Sequence, residues 1–178
     1  MNGERVRSVL MCVAAAAVAL VLAHRPIADS LIARGDSAAL RAQPVSALAY
    51  YRRAIRVDSA DGVALDRFSF GALFQRDQPT MRLAIRLCTG FLQRNPNDRT
   101  IRFDRALLFR ATGNLERAEF DFAVEGNLAR DARALTFAGF IARAAGREHA
   151  ARSYWRTALS YSPHFLPARR ALYRRAPR

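Results

Sequence analysis

Four segments of the 178-residue chain superimpose on one pattern about 34 residues long, and that repetition constrains the fold more than any other feature. Gly35, Ala72, Ala106 and Gly139 align, and twelve residues beyond them stand Ala47, Ala84, Ala118 and Ala151. Four residues further come Tyr51, Cys88, Phe122 and Trp155. A small residue in one helix and a small residue in the next let two antiparallel backbones approach closely. The bulky side chain one turn later then fills the gap beside them. A period of this length, read as helix–turn–helix, predicts an all-α solenoid in which each repeat buries its apolar face against the next.

Turn chemistry marks the same boundaries. Gly113 and Gly146 stand where first helices end, and a left-handed cap favours glycine there. Asp77 followed by Pro79 reads as an N-cap with a proline in the first helical turn. Pro96 and Pro163 close their units, because proline cannot continue a helix. The units run over 28–61, 65–98, 99–131 and 132–165, with Gly62 to Ala64 inserted between the first two. Phe91 and Glu125 occupy positions where the pattern favours a second small residue.

With the run Ala47-Leu-Ala-Tyr-Tyr-Arg-Arg-Ala54-Ile-Arg-Val-Asp58, the Asn95-Pro96 closure and the set Leu135, Gly139, Gly146, Ala151, Trp155, Ala158 and Pro163, the chain resembles the tetratricopeptide repeat (TPR) family over residues 28–165. The resemblance implies a right-handed solenoid of about four repeats. It also implies a protein partner, held as an extended segment or a helix in a concave groove lined by first helices. Mapped onto this chain, that groove takes Asp66, Ser69, Leu73 and Arg76, then Phe103, Leu107 and Arg110, then Arg133, Thr136, Phe140 and Arg143. Arg76, Arg110 and Arg143 recur at equivalent places, so they form a candidate ladder. Beside Phe103, Leu107 and Phe140 it suits an acidic segment with apolar anchors, since guanidinium forks match carboxylates. The Lys and Asn clamp by which chaperone-binding members hold a terminal carboxylate is missing: Ser69, Leu73, Phe103, Leu107, Thr136 and Phe140 stand in its place.

Residues 166–178 follow the last repeat and read as a basic capping helix and tail, with Leu166, Ala171 and Leu172 toward one side of it. A solenoid needs such an end element, because its last repeat otherwise exposes a stacking surface. Arg169, Arg170, Arg174, Arg175 and Arg178 form a candidate basic patch for anionic lipid or an acidic partner.

Charge is unevenly spread. The formal charge is +14, and all 29 basic residues are arginine. Residues 132–178 hold ten of them against the single acid Glu148, whereas 24–131 hold seventeen against thirteen acids. A basic surface is the footprint nucleic-acid binding needs, but no reading motif accompanies it. Nucleic acid is therefore disfavoured, and binding of it or of anionic lipid through the C-terminal arginines is the alternative function.

Val9 to Ala23 is an unbroken apolar run preceded by Arg5 and Arg7 and followed by Arg25. Its fifteen residues span about 22 Å as helix, short of the roughly 30 Å hydrocarbon core, and snorkelling arginines extend the usable length to about 27 Å. An uncleaved anchor over 1–27 is the favoured reading, placing the repeats on the periplasmic side of the inner membrane. A cleaved signal peptide ending near Ala23 is the alternative.

Enzyme chemistry finds no support. His24, His149 and His164 have no Cys, Asp or second His at ligand spacing, so no metal or cofactor is expected. Asp104, Glu116, Glu119 and Asp121 are spaced to bridge Arg102, Arg105 and Arg117 along helix faces. Cys12 and Cys88 do not pair, and Cys88 reads as a small core residue. The chain reads as a non-enzymatic adaptor of the bacterial cell envelope.

Overall fold

A computed structural model describes residues 24–173. The apolar run 9–23, Cys12 and the arginines 174, 175 and 178 lie outside the described residues. Nine helices are present among those described. They are α1 (residues 24–40), α2 (Pro44–Val57), α3 (Gly62–Gln75), α4 (Gln78–Arg94), α5 (Arg99–Ala111), α6 (Leu115–Leu128), α7 (Ala132–Ala144), α8 (Glu148–Tyr161) and α9 (Leu166–Tyr173). They pack in pairs as in a TPR array. The chain divides into two compact units, Met1–Arg67 and Phe68–Arg178, with the boundary inside α3.

In the first unit α1 meets α2 where the pattern places a small residue. A Cβ on Gly35 would run into the Tyr51 ring. The Tyr51 hydroxyl donates to Asp36 Oδ1 at 2.8 Å, and Arg67 pairs with the same oxygen at 3.4 Å. Burial first, and then the Asp36 contact, push the Tyr51 phenol up to about 12, so it remains a neutral donor.

The second unit repeats that join. Ala72 and Cys88, Ala106 and Phe122, and Gly139 and Trp155 are all buried. A Cβ on Gly139 would strike the Trp155 indole, whose Nε1 donates to the Thr136 carbonyl at 3.4 Å. Two apolar clusters result. One gathers Ala106, Phe109, Ala118, Phe122, Ala134, Ala138 and Ile141 across α5, α6 and α7. The other joins Leu135, Ala142, Ala151, Trp155 and Ala158 to Ala168 and Ala171 of α9, which caps the array. The cap is rotated from the sequence expectation. Ala168 and Ala171 face the core with Leu172 half-buried, and Leu166 points outward.

The caps follow local chemistry. Gly113 and Gly146 take φ of +83° and +75°, and each ends its helix in a Schellman turn. Asn114 donates to the Phe109 carbonyl at 2.8 Å, and Arg147 to the Ala142 carbonyl at 2.9 Å. Asp77 Oδ2 accepts from the Thr80 amide at 2.9 Å, Asp98 caps Ile101, and Asp131 caps Arg133 and Ala134. Ala42, Arg76 and Arg130 also adopt positive φ, at 55°, 54° and 52°, where glycine would be at ease. Among the described residues no helix is long and apolar enough to cross a membrane.

Two glycines should respond oppositely to the same substitution. Gly139→Ala should lower stability by about 1–3 kcal/mol, because overpacking against Trp155 outweighs the helix-propensity gain. Gly90→Ala within α4, where a Cβ meets nothing within 4 Å, should raise it by about 0.5–1 kcal/mol. Trp155→Ala should cost about 3–5 kcal/mol through the cavity left behind. Chemical denaturation of the three variants checks all three signs, and a stabilised Gly139→Ala protein would contradict the α7–α8 register.

Candidate functional site

The first helices α3, α5 and α7 carry the residues mapped to the groove, and the structure sorts those residues into two groups. Leu73, Arg76, Leu107 and Arg110 come together. With Gln78, Met81 and Ala111 they line an open cavity of about 590 Å³ where the ends of α3 and α5 meet the start of α4. Ser69 and Thr136 belong to the interior instead. Ser69 Oγ lies 3.4 Å from Cys88 Sγ, and Thr136 Oγ1 donates to the Ala132 carbonyl at 2.6 Å, so neither faces a ligand. Asp66, half-buried, pairs with its neighbour Arg67. The helix periodicity that places these positions beside the groove also carries them under the adjoining second helix.

The arginines of the presumed ladder are not equivalent. Arg110 and Arg143 lie within the last turns of α5 and α7, whereas α3 ends at Gln75 and leaves Arg76 in the turn with positive φ. None of the three pairs with a carboxylate among the described residues. Aromatic faces organise two of them. Arg110 lies 5.4 Å from the Phe137 ring centroid, and Arg143 lies 5.5 Å from Phe140 and 5.0 Å from Trp155. Arg133 sits 4.3 Å over Phe103, with a long 3.7 Å contact to Asp131. Phe103, Phe122 and Phe137 form a cluster with centroids 5.2–6.1 Å apart, and Arg110 and Arg133 lie over two of its rings. A guanidinium placed over a ring has N–H groups left for a carboxylate and is already partly ordered by the contact.

The carboxylates of α6 behave unlike the sequence expectation of pairs along one helix face. Glu119, Asp121 and Glu125 pair between helices, from buried positions, and Glu116 is exposed. Asp121, 2% exposed at its side chain, accepts two parallel bonds of 2.8 Å from Nε and Nη2 of Arg105 on α5, itself 15% exposed. Arg105 also donates to Thr89 Oγ1 of α4 at 3.2 Å, so one guanidinium ties three helices. Glu119 forms a fork with Arg147 and accepts from the Tyr154 hydroxyl at 3.4 Å. Glu125, at the position expected to be small, is buried and accepts from Arg99 Nε at 3.2 Å. Charge alone could not have distinguished these acids from surface ones. Their place on the apolar stripe of α6 was the signal available in the sequence. These carboxylates tie neighbouring helices together.

Cys88 is buried, and burial chiefly pushes its thiol up to about 12, so it is an unreactive core group. His24, His149 and His164 are exposed. Among the described residues no group of three or more His, Cys, Asp or Glu stands where it would hold a metal ion. Of the basic patch, Arg169 and Arg170 are exposed on α9.

The fold that carries this groove is shared with TPR proteins of known structure. MamA superimposes with a TM-score of 0.67 at 14% identity, over 78% of this chain and 80% of that one. YrrB, a TPR protein with an unusual peptide-binding site, gives 0.67 at 18% identity over 92% and 87%. PilF of Pseudomonas aeruginosa gives 0.66 at 12% identity over 84% and 68%. At such identities the likeness is one of fold. No family model matches the sequence, and no curated protein matches it.

The Arg105–Asp121 fork yields a paired prediction. Asp121→Ala should destabilise the protein by about 3–5 kcal/mol, because it strands a buried guanidinium. Replacing both partners together, Arg105→Met with Asp121→Leu, should recover most of that loss. Melting of the single and double variants decides it, and a double variant as unstable as Asp121→Ala would show that the pair is not the relevant interaction.

Proposed function

We propose that this chain is a non-enzymatic scaffold that holds an acidic, apolar-anchored segment of a partner protein in the groove of the first helices. The observation that carries the reading is the joint placement of Arg76 and Arg110 around Leu73 and Leu107. Arg110 and Arg143 add guanidiniums without a carboxylate partner, held on Phe137, Phe140 and Trp155. Such a surface offers apolar contact beside forked donors and asks a ligand for carboxylates in return. The likeness of fold to YrrB, with its peptide-binding site, is consistent with a peptide ligand. Residues 9–23 would tether the scaffold to the inner membrane with the repeats on the periplasmic side, their length and flanking arginines being the support.

Crosslinking in native membranes and affinity purification of the full chain, with residues 1–27 in place, tests this reading. The expected result is a discrete set of envelope proteins that survives moderate salt. Arg110→Glu with Arg143→Glu should reduce their recovery by at least about tenfold. Melting of the variant checks that the fold persists, since Arg110 is exposed but Arg143 is half-buried over Phe140 and Trp155. Recovery unchanged by the double reversal would remove the groove arginines from the mechanism.

A further inference from the structure

On the side of the second helices a separate groove of about 660 Å³ runs between α6 and α8. Phe120, Ala123 and Val124 of α6 form its apolar wall, and the Phe120 ring is 65% exposed. Its ionic groups are Glu116, Glu119 and Arg147. Glu119 forks to Arg147, and Glu116, whose charge also acts on Arg147, stands exposed at the rim without a hydrogen-bonded cation, so the groove carries one acid more than it has bases. Two further grooves of the molecule are lined by arginine pairs with no carboxylate, Arg76 with Arg110 and Arg34 with Arg41. In a chain of charge +14, the α6–α8 groove is thus apolar and locally acidic.

The complement to that groove is on the same molecule. The outward face of α9 carries Leu166, Arg169, Arg170 and Tyr173, spaced i, i+3, i+4 and i+7, the spacing by which an amphipathic helix presents anchors to a groove. Leu166 is 55% and Tyr173 75% exposed, although Ala168 and Ala171 already fasten the helix to the core. A cap that served only solvation would carry polar residues at 166 and 173. Arg169 and Arg170 are exposed and pair with no carboxylate among the described residues.

We infer that copies of this chain associate head to tail, the outward face of α9 of one copy seated in the α6–α8 groove of the next. Leu166 and Tyr173 pack along Phe120 and Val124, and the two arginines meet Glu116. The two surfaces differ, so the contact is heterologous: each copy keeps one free groove and one free helix, and assembly continues with concentration instead of stopping at a dimer. One short helix in one groove is a small interface, so the association is weak and reversible.

Sedimentation of the full chain in mild detergent tests this. The wild type should show weight-average mass rising with concentration. Phe120→Arg, and separately Leu166→Ser with Tyr173→Ser, should each weaken association by at least about tenfold, with melting unchanged because the altered side chains are exposed. Mixing the two variants should then restore one intact contact per pair and give a dimer that grows no further. A wild type that stays monomeric overturns the inference, including one that instead floats with phosphatidylglycerol vesicles through Arg169 and Arg170. So does a mixture that stays monomeric while the wild type associates.

Discussion

Two helix pairs in this protein show the close approach on which the repeat is built, a glycine backbone facing a bulky side chain sixteen residues later. At Gly35 and Tyr51, and again at Gly139 and Trp155, the space left by the missing Cβ is occupied by an aromatic ring. The approach sets the rotation of each helix about its axis, because only one face of the first helix offers the gap. Once that rotation is set, the rest of each repeat follows. Ser69 and Thr136 turn inward, Leu73 and Leu107 turn toward the groove, and Arg110 and Arg143 emerge at the ends of their helices. The proposed groove is therefore built on the same register as the core, and a shift of α7 against α8 would disturb both.

Much of this was legible in the sequence because it depends on local chemistry. Gly113 and Gly146 sit at positive φ, Asp77 caps α4, and the small and bulky positions are buried as their spacing requires. What escaped was decided by tertiary context. Arg76 matches Arg110 and Arg143 by count, but α3 stops early and α4 gains an extra turn, so equal spacing did not mean equal conformation. Ala42 and Arg130 adopt the left-handed region without glycine because the turn bonds of their helices hold them there, Gln43 to the Ala38 carbonyl and Asp131 to the Gly126 carbonyl. Asp121 was read as bridging arginines along a helix face, and Glu125 only as a departure from a small-residue position, since no helical spacing in one segment shows an arginine arriving from another. Leu166 was assigned inward as an apolar residue of a short helix, yet the alanines took that face because small side chains let α9 approach α8 closely.

The all-arginine composition also takes on a physical sense. Lysine presents a compact charge on a flexible stem, whereas guanidinium is planar, stacks on rings and grips both oxygens of a carboxylate. Both uses occur together at Arg105, which forks to Asp121 and lies 5.7 Å from the Phe109 centroid. Arg117 reaches the same ring at the same distance, and Arg147 reaches from the α7–α8 turn to Glu119. Part of the formal charge is thus committed to holding helices together. Arginines that lie over rings without a carboxylate, such as Arg110 and Arg143, and exposed ones that do neither, such as Arg169 and Arg170 of α9, are not committed in this way.

That division explains how one basic chain can present surfaces of opposite preference. Where an arginine is matched by a buried acid, as around α6, the outer surface is left apolar with Glu116 at its edge. Where an arginine is stacked on an aromatic ring and unmatched, as at Arg110 and Arg143, the surface asks for carboxylate. The distinction arises from α6 itself, which carries Glu116, Glu119, Asp121 and Glu125 against the single Arg117 and buries three of those four acids. Without those acids Arg105, now 15% exposed, would lose its buried partner, and the half-exposed Arg99 and Arg147 would lose their ion pairs. Burying carboxylates on α6 therefore ties neighbouring helices together and leaves the outer surface of α6 apolar with Glu116 at its edge.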